Sequence, residues 1–124
     1  SVGCQYCAAH TGENSMIADM PAEKFRAVWE YETNPLFSDA ERIVLRIAQS
    51  VAQVPNAVTD ADFEELRRHW DDDQVVEIIA AISTFGFFNR WNDTLATELE
   101  ASPLRFAQKN LSDTGWAVGK HSAD

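Results

Sequence analysis

The stretch "VVEIIAAISTFGFF", which begins at Val75, limits the fold more than any other part of this chain. Up to Trp91 its apolar residues would cover nearly the whole circumference of a helix, and they never alternate as a strand requires. A helix apolar all round is a central one. The segment from about Asp73 to Leu99 is therefore expected to be the longest helix, with the others packed around it. Gly86 inside it costs about 1 kcal/mol against alanine, so close helix packing is its expected purpose.

Punctuation divides the rest into further helices. Gly3 precedes a first one, from about Gln5 to Ile17. Met20-Pro21 opens a second, since proline suits a first helical turn. Phe25, Val28 and Trp29 recur there at helical spacing, and Asn34-Pro35 ends it. Ser38 with Glu41 three residues on is a capping box. Behind it Ile43, Val44, Ile47, Ala48 and Val51 form one apolar stripe, ending near Gln53. Thr59 caps another helix, with Asp60 and Asp62 in its positive first turn. Phe63 and Leu66 face inward there, and "HWDDD" closes it. The run Asp71–Asp73 reads as a solvated helix start, without the spacing of an EF-hand loop. Ser102-Pro103 starts a short last helix to about Lys109, and the remainder reads as a tail. The expected architecture is an all-α bundle of five to six helices in a single domain spanning 1–124.

Ten basic against twenty acidic side chains give a formal charge of −10. Such a chain repels phosphate backbones, so no nucleic-acid partner is expected. No apolar run approaches the roughly 20 residues of a membrane span, so no membrane partner is expected either. No signal peptide is visible, and a cytoplasmic setting follows, in which two nearby cysteines suggest chemistry rather than stapling.

Those cysteines open the chain: "GCQYCAAHT" holds Cys4, Cys7 and His10 at three-residue spacing. On a helix Cys4 and Cys7 take neighbouring positions of one face, and His10, three beyond Cys7, can reach its sulfur. Free N–H groups and the positive dipole end at a helix start stabilise a thiolate, and a nearby imidazole serves as base or counter-ion. Cys7 is accordingly expected to ionise well below the ordinary value of about 8.5. A second thiol then resolves a sulfenic acid into a disulfide. Two other readings stay open. A structural disulfide would close a very small loop, with little entropic gain. Zinc needs four ligands, and only His69, His121 and scattered carboxylates are there to complete a set. Haem attachment is excluded, because Ala8 stands where the histidine must follow the second cysteine.

With these segments, "VWEYETNPLFSDAERIVLRIAQ", "PNAVTDADFEELRRHW", "DDDQVVEIIAAISTFGFFNRWNDTLA" and the tail "GWAVGKHS", the chain resembles the carboxymuconolactone decarboxylase superfamily. The likeness is to its alkylhydroperoxidase (AhpD-like) branch with paired cysteines. The resemblance implies an all-helical homo-oligomer that reduces hydroperoxides as a thiol-dependent peroxidase. Cys7 would attack the peroxide, Cys4 would resolve it to a disulfide, and His10 would move protons. It further implies no resident cofactor or metal, and an external dithiol or lipoyl-bearing protein as reductant. A non-catalytic oligomer-forming relative is the alternative. Decarboxylation is a further one, although members with that activity do not rely on a cysteine pair.

Two departures from the family stand out. Members place a histidine between the cysteines and the relay histidine four residues after the second, where this chain has Tyr6 and Thr11. Members also carry a helical hairpin before the cysteines, with a glutamate that starts the relay. Only Ser1, Val2 and Gly3 stand there, so the chain is expected to be the later part of a longer domain. Glu13 is a weak stand-in for that acid. Arg90 is expected to pair with Asp93 or Glu41, His69 to serve a helix end, and His121 to be solvated in the tail.

Overall fold

A computed structural model describes residues 3–123; Ser1, Val2 and Asp124 lie outside it. Among the described residues the fold is all-helical, without strands. The helices are α1 (Gln5–Ile17), α2 (Ala22–Arg26), α3 (Asp39–Val51), α4 (Asp60–Leu66), α5 (Asp72–Leu95) and α6 (Ala101–Asn110). Short 3-10 turns cover Ala27–Glu30, Ser112–Thr114 and Gly119–His121. None of these helices is long and apolar enough to cross a membrane.

The described residues form two compact units. The first, residues 30–87, is built on α3, α4 and the start of α5. Both expected caps are present. Ser38 Oγ accepts from Glu41 N while Glu41 Oε2 accepts from Ser38 N, and Thr59 and Asp62 repeat the arrangement. These caps satisfy orphan N–H groups at each start and fix where α3 and α4 begin. Ile43 and Ile47 of α3, Leu66 of α4 and Val75 of α5 then make the core, flanked by Ile78, Ile79 and Ile82. Asp71 and Gln74 exchange side-chain bonds with each other's N–H at 2.9 and 3.0 Å, so the acidic run is a helix start.

The second unit comprises residues 3–29 and 88–123. Here α1 packs along α6, and Ala9, Leu99, Ala107 and Leu111 form the buried centre. The tail is part of this unit. Trp116 Nε1 donates to the Gln5 carbonyl at 3.0 Å, pinning the first turn of α1.

Three expectations need correction. The second helix stops at Arg26 and tightens into a 3-10 turn, leaving Trp29 exposed instead of facing a core. No side chain caps α2 at its start, and five residues make too short a ladder to propagate. The long helix α5 is far less buried than expected: Val75 is its one buried residue, while Val76 and Leu95 are 68% and 61% exposed. Its Ile78, Ile79 and Ile82 flank the core formed with α3 and α4. It also ends at Leu95, because Ala96 takes a left-handed backbone at φ +50°. Finally, His121 is buried at 1% exposure, not solvated.

Candidate functional site

Cys4 is the N-cap of α1, with extended backbone at φ −72°, ψ 105°. That geometry turns its sulfur over the open N-terminus, where it accepts the Cys7 backbone N–H at 3.2 Å. Cys7, one turn in, faces it: the two sulfurs stand 2.6 Å apart as free thiols. A disulfide at about 2.05 Å is a small closing movement away. Cys7 Sγ also lies 3.7 Å from the Phe88 carbonyl and 4.0 Å from Asn92 Nδ2. Asn92 is held by bonds to Phe88 O at 3.1 Å and from Thr97 Oγ1 at 3.0 Å.

The electrostatics reverse one expectation. Burial first, and then the adjoining Cys4 sulfur, push the Cys7 thiol up to about 12. A thiolate at Cys7 would lose water and face a second sulfur, so Cys7 keeps its proton; Cys4 Sγ donates to Cys7 Sγ, and Cys7 Sγ to the Phe88 carbonyl. The helix-start N–H meets the Cys4 sulfur instead. Alkylation should show this directly. Iodoacetamide at pH 7–9 is expected to modify Cys4 and leave Cys7 largely unreacted, with Cys7 labelling rising only at still more alkaline pH. Peptide mapping by mass spectrometry reads both sites; equal labelling near pH 8 would contradict the assignment.

His10 does not contact either sulfur. Its Nε2 bonds Glu100 Oε2 at 2.8 Å, and its ring packs at 4.4 Å from that of Tyr6. Tyr6 in turn donates its hydroxyl to Glu100 Oε1 at 3.2 Å. Burial and then Glu100 raise the Tyr6 hydroxyl, so it remains a donor at neutral pH. Glu100 is lowered from the ordinary carboxylate value, chiefly by its own backbone N–H, against desolvation, with smaller help from His10 and Tyr6. Thr11 donates to the Cys7 carbonyl at 2.7 Å.

Sequence reasoning missed Glu100, Asn92 and the buried His121. Glu13 accepts from Ser102 Oγ at 2.6 Å and takes no part in the site. Asp93 pairs with Lys120 at 2.9 Å rather than with Arg90. His69 meets Glu65 at 3.2 Å, a helix-end contact as expected.

No family model matches the chain. It is 29% identical over 92 residues to the uncharacterized protein YnjA of Escherichia coli (strain K12), covering 74% of this chain and 50% of that protein. It is also similar to two crystal structures of the debrominase Bmp8. The apo form superposes with a TM-score of 0.78 at 30% identity, over 87% of this chain and 58% of that one. A cysteine-to-alanine variant in complex with 2,3,4-tribromopyrrole gives 0.77 at 29%, over 86% and 57%. This chain has the debrominase's helical fold and spans little more than half its length. It spans half the length of YnjA.

Proposed function

We propose that this chain is a thiol-dependent reductase of hydroperoxides, an AhpD-like enzyme in which Cys4 and Cys7 supply two electrons by becoming a disulfide. The observation carrying it is the 2.6 Å pair of buried free thiols at the start of α1, with a backbone N–H on the Cys4 sulfur. The Cys4 thiolate attacks the terminal peroxide oxygen. The O–O bond breaks, the alkoxide takes a proton and leaves as the alcohol, and Cys4 becomes a sulfenic acid. Cys7 sulfur then attacks the Cys4 sulfur, the S–S bond forms, and water leaves with the thiol proton. An external dithiol, of which a lipoyl-bearing protein is one form, returns both hydrogens, and the cycle uses no resident cofactor. These roles exchange the two cysteines relative to those implied by the family resemblance.

The likeness to a debrominase supports a second electron acceptor for the same pair. With an electron-rich bromoarene, the Cys4 thiolate would take bromine, the arene carbon a proton, and Cys7 would displace bromide to give the same disulfide. One assay separates the two: reduced protein is mixed with cumene hydroperoxide or with 2,3,4-tribromopyrrole, and free thiols are counted. Loss of two thiols per chain with the peroxide, faster than with free dithiothreitol, is expected. Loss with the bromopyrrole alone selects the second reading, and no loss with either overturns both.

The exposed apolar side of α5 fits a homo-oligomer, which would cover Val76 and Leu95. Sedimentation velocity is expected to show a species heavier than one chain, and Val76→Asp with Leu95→Asp to return it to a single chain. An unaltered profile would place the contact elsewhere.

A further inference from the structure

Glu100 sits where α6 begins, yet it does not cap that helix. Its backbone is that of an N-cap, at φ −68° and ψ 156°, and no side-chain bond to the α6 N–H groups is made. A short polar residue there would stabilise the helix by about 1 kcal/mol. The glutamate carboxylate instead reaches across to α1, one oxygen to each of two side chains, His10 Nε2 and Tyr6 Oη. The segment before it is pinned at two points by His121. The buried imidazole bonds the Thr97 carbonyl through Nδ1 at 2.8 Å, and the His121 carbonyl accepts from Leu99 N at 2.9 Å. The left-handed turn at Ala96 starts the segment, and the tail turn Gly119–His121 closes over it. The other groups facing this cluster are Asp93, 3.8 Å from His121 Nε2, and Lys120, which pairs with Asp93.

We propose that Glu100 is the positioning carboxylate of the thiol site: it fixes His10 as the Nε2–H tautomer, leaving Nδ1 as the acceptor for the one proton the cysteine pair must lose. This inference rests on the thiol-reductase reading and completes its proton bookkeeping. A carbonyl or carboxylate on one ring nitrogen selects the tautomer and so frees the other. His10 follows Cys7 by three residues, on a neighbouring position of the same face of α1. When the pair ionises, one proton passes from sulfur to His10 Nδ1 through an intervening water. The other stays on Cys7 and is donated to the Cys4 thiolate. The imidazolium formed is then balanced by Glu100, in the manner of a nucleophile, base and orienting acid.

Glu100 is 59% exposed at its side chain, so Glu100→Gln is expected to fold, and a thermal melt beside the parent checks this. Two readouts independent of peroxide turnover test the proposal. In nitrogen-15 correlation spectra the parent His10 should show the Nε2–H tautomer at alkaline pH, and Glu100→Gln a mixture. The pH profile of Cys4 alkylation should move upward in the variant, lowering the rate at pH 7 about tenfold, equivalent to about one unit in the midpoint. Glu100→Asp, which keeps the charge on a shorter arm, should fall between the two. Unchanged tautomer and unchanged profile in a folded Glu100→Gln protein would overturn the assignment. A protein whose profile responds as stated but whose thiols ignore peroxide and bromoarene alike would instead overturn the reductase reading.

Discussion

Cys4→Ser is expected to abolish the first chemical step, lowering single-turnover reduction of hydroperoxide by on the order of 10⁴-fold or more, the scale seen when a nucleophile is removed. Cys7→Ser is expected to keep that first round and stop at the sulfenic acid, which dimedone traps and mass spectrometry counts. The asymmetry follows from which sulfur meets the helix start. Cys4 Sγ receives the Cys7 N–H, whereas Cys7 is pushed up to about 12 by burial and its neighbour. Serine is also among the better N-caps. Its hydroxyl can take the same N–H, so Cys4→Ser should melt close to the parent and its loss of reactivity is chemical rather than structural. The opposite pattern, a live first round in Cys4→Ser and none in Cys7→Ser, would restore the roles implied by the family resemblance. Equal loss in both would mean that neither sulfur reacts before the pair acts as a unit.

Local signals made the helices legible and long-range contacts did not. Helix α1 was expected over Gln5–Ile17 and is found there, because Gly3 marks its start within a few positions. The caps at Ser38 and Thr59 are likewise read from residues three apart. Periodicity told that α5 is apolar all round, but it cannot tell what covers a face, and Val76 and Leu95 are exposed. The tail has no helical period, since its structure comes from partners far along the chain: Gln5 for Trp116 and Thr97 for His121. Glu100 was invisible for the same reason. Nothing near it in sequence marks a glutamate before Ala101 as anything but a solvated helix start, and only the packing of α6 on α1 brings it to His10.

That packing depends on Gly12, where the second large effect is expected. Sequence reasoning assigned close helix approach to Gly86; within the second unit it is made at Gly12, which is fully buried between α1 and its neighbours. A Cβ built there would lie 2.5 Å from the Phe106 ring and 2.8 Å from that of Phe25, far inside contact distance. Those rings meet each other edge to face at 6.4 Å between centroids and pack against the core around Ala9 and Ala107, so a Cβ at Gly12 has to push both aside. Alanine gains up to about 1 kcal/mol of helix propensity, but overpacking costs typically 1–3 kcal/mol. Gly12→Ala is therefore expected to be destabilising on balance, and Gly12→Val, with a larger branched side chain, to lose about 3 kcal/mol. For a chain of this size that is a fall of roughly 10 °C in melting temperature. Gly119→Ala is the contrasting control: space around it is open, and its cost comes from the positive φ of +55° alone. Thermal unfolding of the three variants ranks these causes. Because α6 carries Glu100 at its start, pushing α6 off α1 should also loosen the His10 contact, so Gly12→Val should lose the Nε2–H tautomer below its melting point while Gly119→Ala keeps it. A Gly12→Ala protein that melts above the parent would show that the rings yield freely and that α1 and α6 are not closely locked.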